Sequence, residues 1–422
     1  MPRPFRFVHA ADLHIDSRFV AWSGAPESVR QTLLESTHRA FRNLVDLCIK
    51  REAAFLVIAG DVFDCADRGV RAQLRFRDGL AELAARGIQS FVVHGNHDPL
   101  DGWASSISFP PEVKVFGPDP EWAMAMSGGQ PLAQVQGASY PTQETKANLA
   151  ARFSEPNDPD LFSVGLLHCN LGGNPEHANY APCTVSDLEA PGIDYWALGH
   201  IHKRQIVRPL APAIVYAGNI QGRDIGETGS RGCYVVDVDE SRYVKPEFVA
   251  LDVVRWARTE IPVGDASNFD EVVGALDRQI SDLRAGSEGR SLVCRVALTG
   301  RGPIHEELAR SDTAEQLLAH VRDTFVADEP WVWLDGLDDR TMPDLDIGQR
   351  ASEQDFLGLL LTRAAAEMTG PALRAELARD LNASLRTSRD REWAEQLSEA
   401  EMAGLIDRTR WLLAERLEAQ DR

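Results

Sequence analysis

Five times between residues 5 and 202, a short apolar run breaks off into a polar cluster. "FRFVHA" leads to Asp12-x-His14, "AFLVIAG" to Asp61 and Asp64, "QSFVVHG" to Asn96-His97-Asp98, "LFSVGLL" to His168, and "DYWALG" to His200-x-His202. Each run has the length and the β-branched or aromatic content of a buried strand. Between the first three lie "ESVRQTLLESTHRAFRNLVDLCIKRE" and "RGVRAQLRFRDGLAELAARG", with apolar residues at three- and four-residue spacing and a closing Gly87. Strands alternating with amphipathic helices are the pattern of a layered α/β domain, to which "AIVYAG" (213–218) and "GCYVVDVD" (232–239) add two strands. In open α/β sheets ligands sit outside the carboxyl ends of the strands, so the clusters should converge in space.

Taken singly, each cluster has an ordinary explanation: an Asp or Asn at a strand-to-helix junction is commonly a helix cap, and a lone His a hydrogen-bonded core or surface residue. Their joint occurrence reverses that reading. Asp12, His14, Asp61, Asn96, His168, His200 and His202 offer oxygen and imidazole donors with no thiolate, a ligand set for borderline or hard divalent ions. Seven donors exceed one tetrahedral site with an open position and suit two ions sharing a carboxylate. Asp61, on a middle strand, is the expected bridge. In an extended "GHIH", His200 and His202 point to one side, one imidazole for each ion. Two ions roughly 3.5–4 Å apart can clamp the oxygens of an in-line displacement at phosphorus, so the expected reaction is phosphoester hydrolysis.

The net charge of −20 argues against a polyanionic partner only if it is evenly spread. It is not, since residues 1–100 carry 13 Lys and Arg against 12 Asp and Glu. The six cysteines are scattered singly, with no CxxC pair, and read as small core residues in a reducing compartment. No apolar run approaches the roughly 20 residues that span a bilayer, and the opening residues lack a signal-peptide pattern, so a cytoplasmic protein without membrane segments is expected.

Beyond about residue 250 the pattern changes. "SNFDEVVGALDRQISDL" and "TAEQLLAHVRDTF" read as helices, and "SLVCRVALTG" and "WVWLDGL" as strands, predicting a small α+β unit over 251–336. An acidic, nonperiodic stretch over 337–351 reads as a linker. Residues 352–422 read as a helical tail, opening on a capping box of Ser352 with Asp355; its last helix, opening on Ser398 with Glu401, carries Met402, Leu405, Ile406, Leu412, Leu413 and Leu417 on one stripe.

"DLH", "GDVFD", "GNHD", the isolated "LLHCN" histidine and "GHIH", in that order, resemble the five signature blocks of the calcineurin-like metallophosphoesterases. "FVHAADLHIDSRF" and "YAGNIQGRDIGETGSRGCYVVDVD" narrow the resemblance to the SbcD-type DNA repair exonucleases, most closely the YhaO-like branch. It covers residues 4–250 and, more loosely, the unit that follows. The resemblance implies a four-layer α/β/β/α sandwich over residues 1–250, a small α+β capping domain over 251–336, Mn²⁺ as activating ion, and exonuclease or endonuclease action on DNA. It gives Asp12, His14, Asp61 and His202 to one ion and Asp61, Asn96, His168 and His200 to the other. His97 would stabilise the transition state or protonate the leaving oxygen, with Asp98 orienting it or serving as a plain cap. Asp64 and Asp16 are weaker supporting candidates. Asp224 stands where that branch has a histidine. The resemblance further implies a homodimer through helices of the nuclease domain and a tail gripping an SMC-like, SbcC-type ATPase; the tail's stripes equally fit a self-packed bundle.

Arg18, Arg68, Arg71, Arg75 and Arg223 are candidates for phosphate contacts, although charged helix faces are usually just solvated. Two alternatives share the ligand set: a two-metal phosphatase or phosphodiesterase acting on small nucleotides or phosphoproteins, and a non-catalytic scaffold subunit of the ATPase. The second predicts an eroded ligand set, and all seven positions hold competent side chains.

Overall fold

The computed structural model describes residues 3–17, 19, 24–64, 69–102, 107–173, 179–310 and 312–367, with isolated positions between 379 and 417. The chain opens as β1 (Phe5–Ala10), α1 (Glu27–Lys50), β2 (Phe55–Ala59), α2 (Val70–Ala84), β3 (Gln89–Val93) and β4 (Val113–Val115). It continues through β5 (Glu121–Ser127), β6 (Gln130–Ala138), β7 (Phe162–His168), α3 (Val185–Glu189), β8 (Tyr195–Gly199), β9 (Gln205–Arg208) and β10 (Ala213–Tyr216). It then returns through β11 (Gly232–Val238) and β12 (Val244–Ala250). Two six-stranded sheets result, in the orders β12-β11-β1-β2-β3-β4 and β5-β6-β7-β8-β10-β9. Each has four parallel strands at its heart and antiparallel strands at its margin.

Strand periodicity explains the layering. In β1 and β2, Phe7, Phe55 and Val57 face the second sheet, while Val8, Leu56 and Ile58 face α1 and α2. The inner layer stacks Phe7 on Phe55 at 5.0 Å and sets Tyr195 of β8 edge-on to Phe7 at 5.2 Å. Burial of each such ring stabilises the sandwich by about 1.5–3 kcal/mol. α1 and α2 cover the first sheet through Phe41, Leu44, Phe76 and Leu80. The second sheet's outer face has a thinner cover, in which Leu149, Phe153 and Leu188 pack on Trp196 and Leu198 beneath a single 3₁₀ turn and the five-residue α3. These layers match the expected α/β/β/α sandwich.

The remainder comprises β13 (Val254–Pro262), α4 (Phe269–Ala285), β14 (Ser291–Arg301), α5 (His305–Leu308), α6 (Thr313–Phe325), β15 (Val332–Met342), α7 (Ile347–Ala351) and α8 (Phe356–Glu367), with a third sheet ordered β13-β14-β15. The chain divides into two compact units: 1–258 with 283–294 and 325–335, and 259–282 with 295–324 and 336–422. The expected boundaries at 250 and 336 therefore do not separate blocks of chain, because the division falls inside all three of these strands. The linker expected over 337–351 is corrected as well: β15 runs on to Met342, and Asp346 caps α7 by accepting from the Gly348 and Gln349 amides. Nor does Ser352 open a capping box. It ends α7, and Asp355 caps α8 by accepting from the Gly358 amide at 2.7 Å. In the tail, Trp411 and Ala414 pack with Ile347, Leu357 and Leu361; Ser398, Met402, Ile406 and Leu412 lie outside the described residues. Among the described residues, no helix is long and apolar enough to cross a membrane.

Candidate metal centre

The ends of β1 and β2 are zipped together beyond the strands. Backbone bonds run from Asp12 N to Gly60 O, from His14 N to Asp61 O and from Ile15 N to Val62 O, at 2.9–3.1 Å. This brings the first two clusters side by side in unusual backbone: Asp12, His14, Asp61 and His200 all have positive φ, between 43° and 96°. Such strain in non-glycine residues costs about 1–3 kcal/mol each and concentrates at functional sites. The neighbouring glycines are needed for space. A Cβ on Gly60 would fall 2.4 Å from His168 Nδ1, one on Gly95 2.3 Å from Asp61 Oδ1, and one on Gly199 1.8 Å from the Ala59 carbonyl.

All seven expected ligands come to this one edge. Asp12, His14, Asp61, Asn96, His168 and His200 are buried, and His202 is partly so. Asp12, His14 and His202 present donor atoms within 4.8 Å of one another, as do Asp12, Asp61 and His168. His168 Nε2 lies 3.1 Å from Asn96 Oδ1 and 3.4 Å from Asp61 Oδ2, and the same Asp61 oxygen is 3.9 Å from His14 Nε2. Asp61 thus stands between the two donor groups, as expected. Asp12 also lies between them, 4.0 Å from His202 Nε2, but it approaches His168 only at Nδ1, which donates to the Ala59 carbonyl at 2.9 Å. Asp12 is held by the His200 amide at 3.0 and 3.2 Å, and the His200 ring stands edge-on to His168 at 5.2 Å.

The imidazoles are oriented by their far nitrogens. His202 Nδ1 meets Glu227 Oε1 at 2.6 Å, and His14 Nδ1 lies 3.1 Å from Asp64 Oδ1. The His202 Nδ1 proton on Glu227 leaves a lone pair at His202 Nε2, which faces His14 Nε2 across 3.0 Å, while His14 Nδ1 is buried without a hydrogen-bond partner. Burial depresses the pKa of His14, so its ring is neutral. Burial first, and then repulsion between Asp12 and Asp61, pushes the Asp12 carboxyl well up; burial raises Asp61 to about 6. Neutral imidazole donors, one with a buried unpartnered nitrogen, beside carboxyls whose ionisation burial opposes are what bound divalent cations relieve, so the residues fit a metal pair.

Glu227 is the supporting residue that sequence reasoning missed. Burial alone would raise its pKa, yet the hydrogen bond to His202, the charge on that ring and Arg223 together outweigh it and bring it to about 2. Its other oxygen accepts from Asn219 Nδ2 at 2.7 Å and the Arg223 amide at 2.8 Å. An isolated glutamate 25 positions from its histidine carries no local signal. Arg223, expected at phosphate, is ion-paired with Asp64. Asp224 is exposed and bonds back to the Gly226 amide at 2.6 Å.

His97 is half-buried beside the ligands, its ring 4.9 Å from that of His14. Its amide donates to Asp61 Oδ1 and its Nδ1 to the Asp64 carbonyl, both at 2.9 Å. Asp98 is fully buried and accepts from the amides of Val62, Phe63 and Gly95 and from His94 Nδ1. Those bonds pin the loops that carry Asp61 and His97. Asp16 is exposed, with an oxygen 3.5 Å from His38 Nε2. Arg75 pairs with Glu35, Arg71 is exposed on α2, and Arg18 and Arg68 lie outside the described residues.

Comparison with known proteins agrees with this geometry. A family model described as calcineurin-like phosphoesterase matches residues 5–204, and one described as the middle domain of metallophosphoesterase YhaO matches residues 256–342. The chain is 36% identical over 336 residues to the uncharacterized metallophosphoesterase YhaO of Bacillus subtilis (strain 168), covering 79% of this chain and 81% of that protein. It is 24% identical over 323 residues to the DNA double-strand break repair protein Mre11 of Thermoplasma acidophilum, covering 73% and 80%. A component of the nuclease SbcCD of B. subtilis is 23% identical over 312 residues, covering 64% and 75%.

Proposed function

The chain belongs to the calcineurin-like metallophosphoesterases, and from that premise we propose that it hydrolyses phosphodiester bonds of DNA, with Mn²⁺ as the native ion, as an exonuclease or endonuclease subunit serving an SMC-like ATPase in DNA repair. Asp12, His14, Asp61 and His202 would hold one ion, and Asp61, Asn96, His168 and His200 the other. Bound there, the cations would act as Lewis acids on the phosphoryl oxygens and lower the pKa of the attacking water. The observation that carries the reading is His97. It is held at Nδ1 by a backbone carbonyl beside the buried ligands, which leaves Nε2 to exchange a proton with the leaving oxygen. Asp98 acts as a positioning residue, tying the Gly95 amide before that histidine to the Val62 and Phe63 amides of the loop that carries Asp61. The names of the Mre11 and SbcCD relatives favour DNA over small phosphoesters, and the chain extends beyond residue 250 where a compact phosphatase would stop. A homodimer in the cytoplasm, with the tail beyond residue 350 gripping the ATPase, completes the proposal.

Incubation of the purified chain with Mn²⁺ and end-labelled duplex DNA tests it. Degradation is expected, falling by about 10²- to 10⁴-fold in His97→Ala with metal content unchanged. Activity confined to small phosphoesters would replace DNA with the phosphatase reading, and no activity at all would leave a scaffold. Copurification of an SMC-like chain, lost when residues beyond 350 are deleted, tests the partner.

A further inference from the structure

His202 is followed at once by Lys203 and Arg204, both exposed. Together with Arg231 they line a cleft of about 260 Å³ that also touches His202, with Phe248 and Asn219 in its wall. Among the described residues, no aspartate or glutamate lines it. Other clefts of the same unit mix charges, one with Glu52, Asp160 and Asp239 among its arginines and another with Asp252, Glu288 and Glu329. In a chain of net charge −20, a cationic cleft free of carboxylates beside a metal ligand is an anion site by its electrostatics.

The hydrogen bonds that hold the two arginines run to neutral groups, and the carboxylates that oppose Arg231, Glu227 foremost, lie outside the cleft lining. Arg204 lays its guanidinium 3.9 Å over the Phe248 ring and donates Nη1 to the Ser230 carbonyl and hydroxyl at 2.7 and 3.0 Å. Its Nε and Nη2 hydrogens remain in a fixed fork suited to a phosphate. Arg231 donates to the His202 carbonyl at 2.5 Å and to Asn219 Oδ1 at 3.0 Å, while its Nε is buried without a hydrogen-bond partner. Gly218, at φ 74°, permits this packing, since a Cβ there would meet the His202 carbonyl at 2.7 Å and the Arg204 amide at 2.8 Å. Burial lowers the pKa of Arg231, Glu227 opposes that shift and Arg204 adds to it. The neighbouring Glu227 is engaged by His202, Asn219 and Arg223.

We propose that this cleft, built on Lys203, Arg204 and Arg231, binds a backbone phosphate of the nucleic-acid strand next to the phosphodiester at the metal centre, and so sets the path of the strand across the edge of the sandwich. The inference rests on the reading of the chain as a DNA phosphodiesterase. The Cα atoms of His202 and Arg204 are at most about 7.6 Å apart, two peptide steps, so the same loop contacts the reacting phosphate and its neighbour.

Equilibrium binding of fluorescent oligonucleotides to the full chain, with Mn²⁺ and in the His97→Ala background, tests the cleft across a salt series. Lys203→Ala and Arg204→Ala are each expected to weaken binding several-fold at about 0.1 M salt, and each to reduce the slope of log K against log salt by about 1. Arg204→Lys is expected to keep the slope, and Arg77→Ala, which removes an equal charge from a site paired with Asp78, to leave affinity and slope unchanged. Lys203 is exposed and serves no structural bond in the cleft, so its variant remains informative if Arg204→Ala does not fold. Unchanged slopes in a chain that cuts DNA would overturn the cleft and leave the nuclease reading intact. A chain that hydrolyses bis(4-nitrophenyl) phosphate but neither binds nor cuts DNA would overturn both.

Discussion

The two halves of the metal centre are supported in different ways. On the side of His14 and His202, the far nitrogen of His202 is hydrogen-bonded to Glu227 and that of His14 lies 3.1 Å from Asp64 without a hydrogen bond, both carboxylates being carried on loops outside the two large sheets. Around His168 the far nitrogen faces a peptide carbonyl at the end of β2, and beside it stand the His200 ring and an amide oxygen, Asn96. Carboxylate backing makes an imidazole a stronger donor and adds negative charge; peptide backing adds only direction. The first half therefore depends on charges that single substitutions can remove, and the second on strand ends that the sandwich holds rigid.

Asp61 belongs to both halves, so its loss should have the largest effect. Asp61→Asn is expected to abolish phosphoesterase activity and to prevent binding of a stoichiometric metal pair, measured by metal analysis and calorimetry; retention of two tightly bound ions would show that Asp12 is the shared ligand instead. Glu227→Gln should separate the halves. It is expected to weaken one ion by about 10- to 100-fold and leave the other unchanged. Equal weakening of both would erase the distinction.

Proton competition gives a third, smaller effect. His14, and His168 at about 3, are held neutral by burial, so these two rings hold no extra proton against a cation near neutral pH. Asp61, raised to about 6 chiefly by burial, must lose its proton before it binds a cation. The Asp61 proton should make metal affinity fall about fivefold between pH 6 and pH 5, with the raised Asp12 acting in the same direction. The sign for the metal-free fold is opposite. A carboxyl whose folded pKa is raised from 3.8 contributes stability that is complete below that value and lost as pH rises through 6. The increase in Tm on adding Mn²⁺ should accordingly be larger at about pH 7 than at about pH 5. The smallest expected effect is Gly95→Ala, whose Cβ would crowd Asp61 and His168 without changing charge. It should cost about 1–3 kcal/mol in denaturant unfolding and lower affinity mainly on the peptide-backed side.

Much of the sandwich was legible because its central strands are buried on both faces. β1, β2, β3, β7, β8, β10 and β11 read as apolar runs, and each was expected within a residue or two of its place. The strands that escaped are those whose pattern is broken by other demands. β6 carries Gln134 and Gln136 fully inside, where they pair with the backbone of Asp158 and with Ser154, so alternation gives no signal. β12 carries Pro246 on a marginal strand, and β5 is half-exposed.

The sequence by itself determined the donor set. Strand-length apolar runs that break off into Asp, Asn or His deliver those side chains to one edge of a sheet, and the absence of thiolates limits what they can hold. Tertiary structure alone decided which nitrogen His168 and His202 offer, which group backs each of them and where the cations of the cleft gather. Those choices depend on contacts such as His202 with Glu227 or His168 with Ala59, between residues 25 and 109 positions apart. Hydrogen-bond direction over such separations is fixed by packing, and no local periodicity records it.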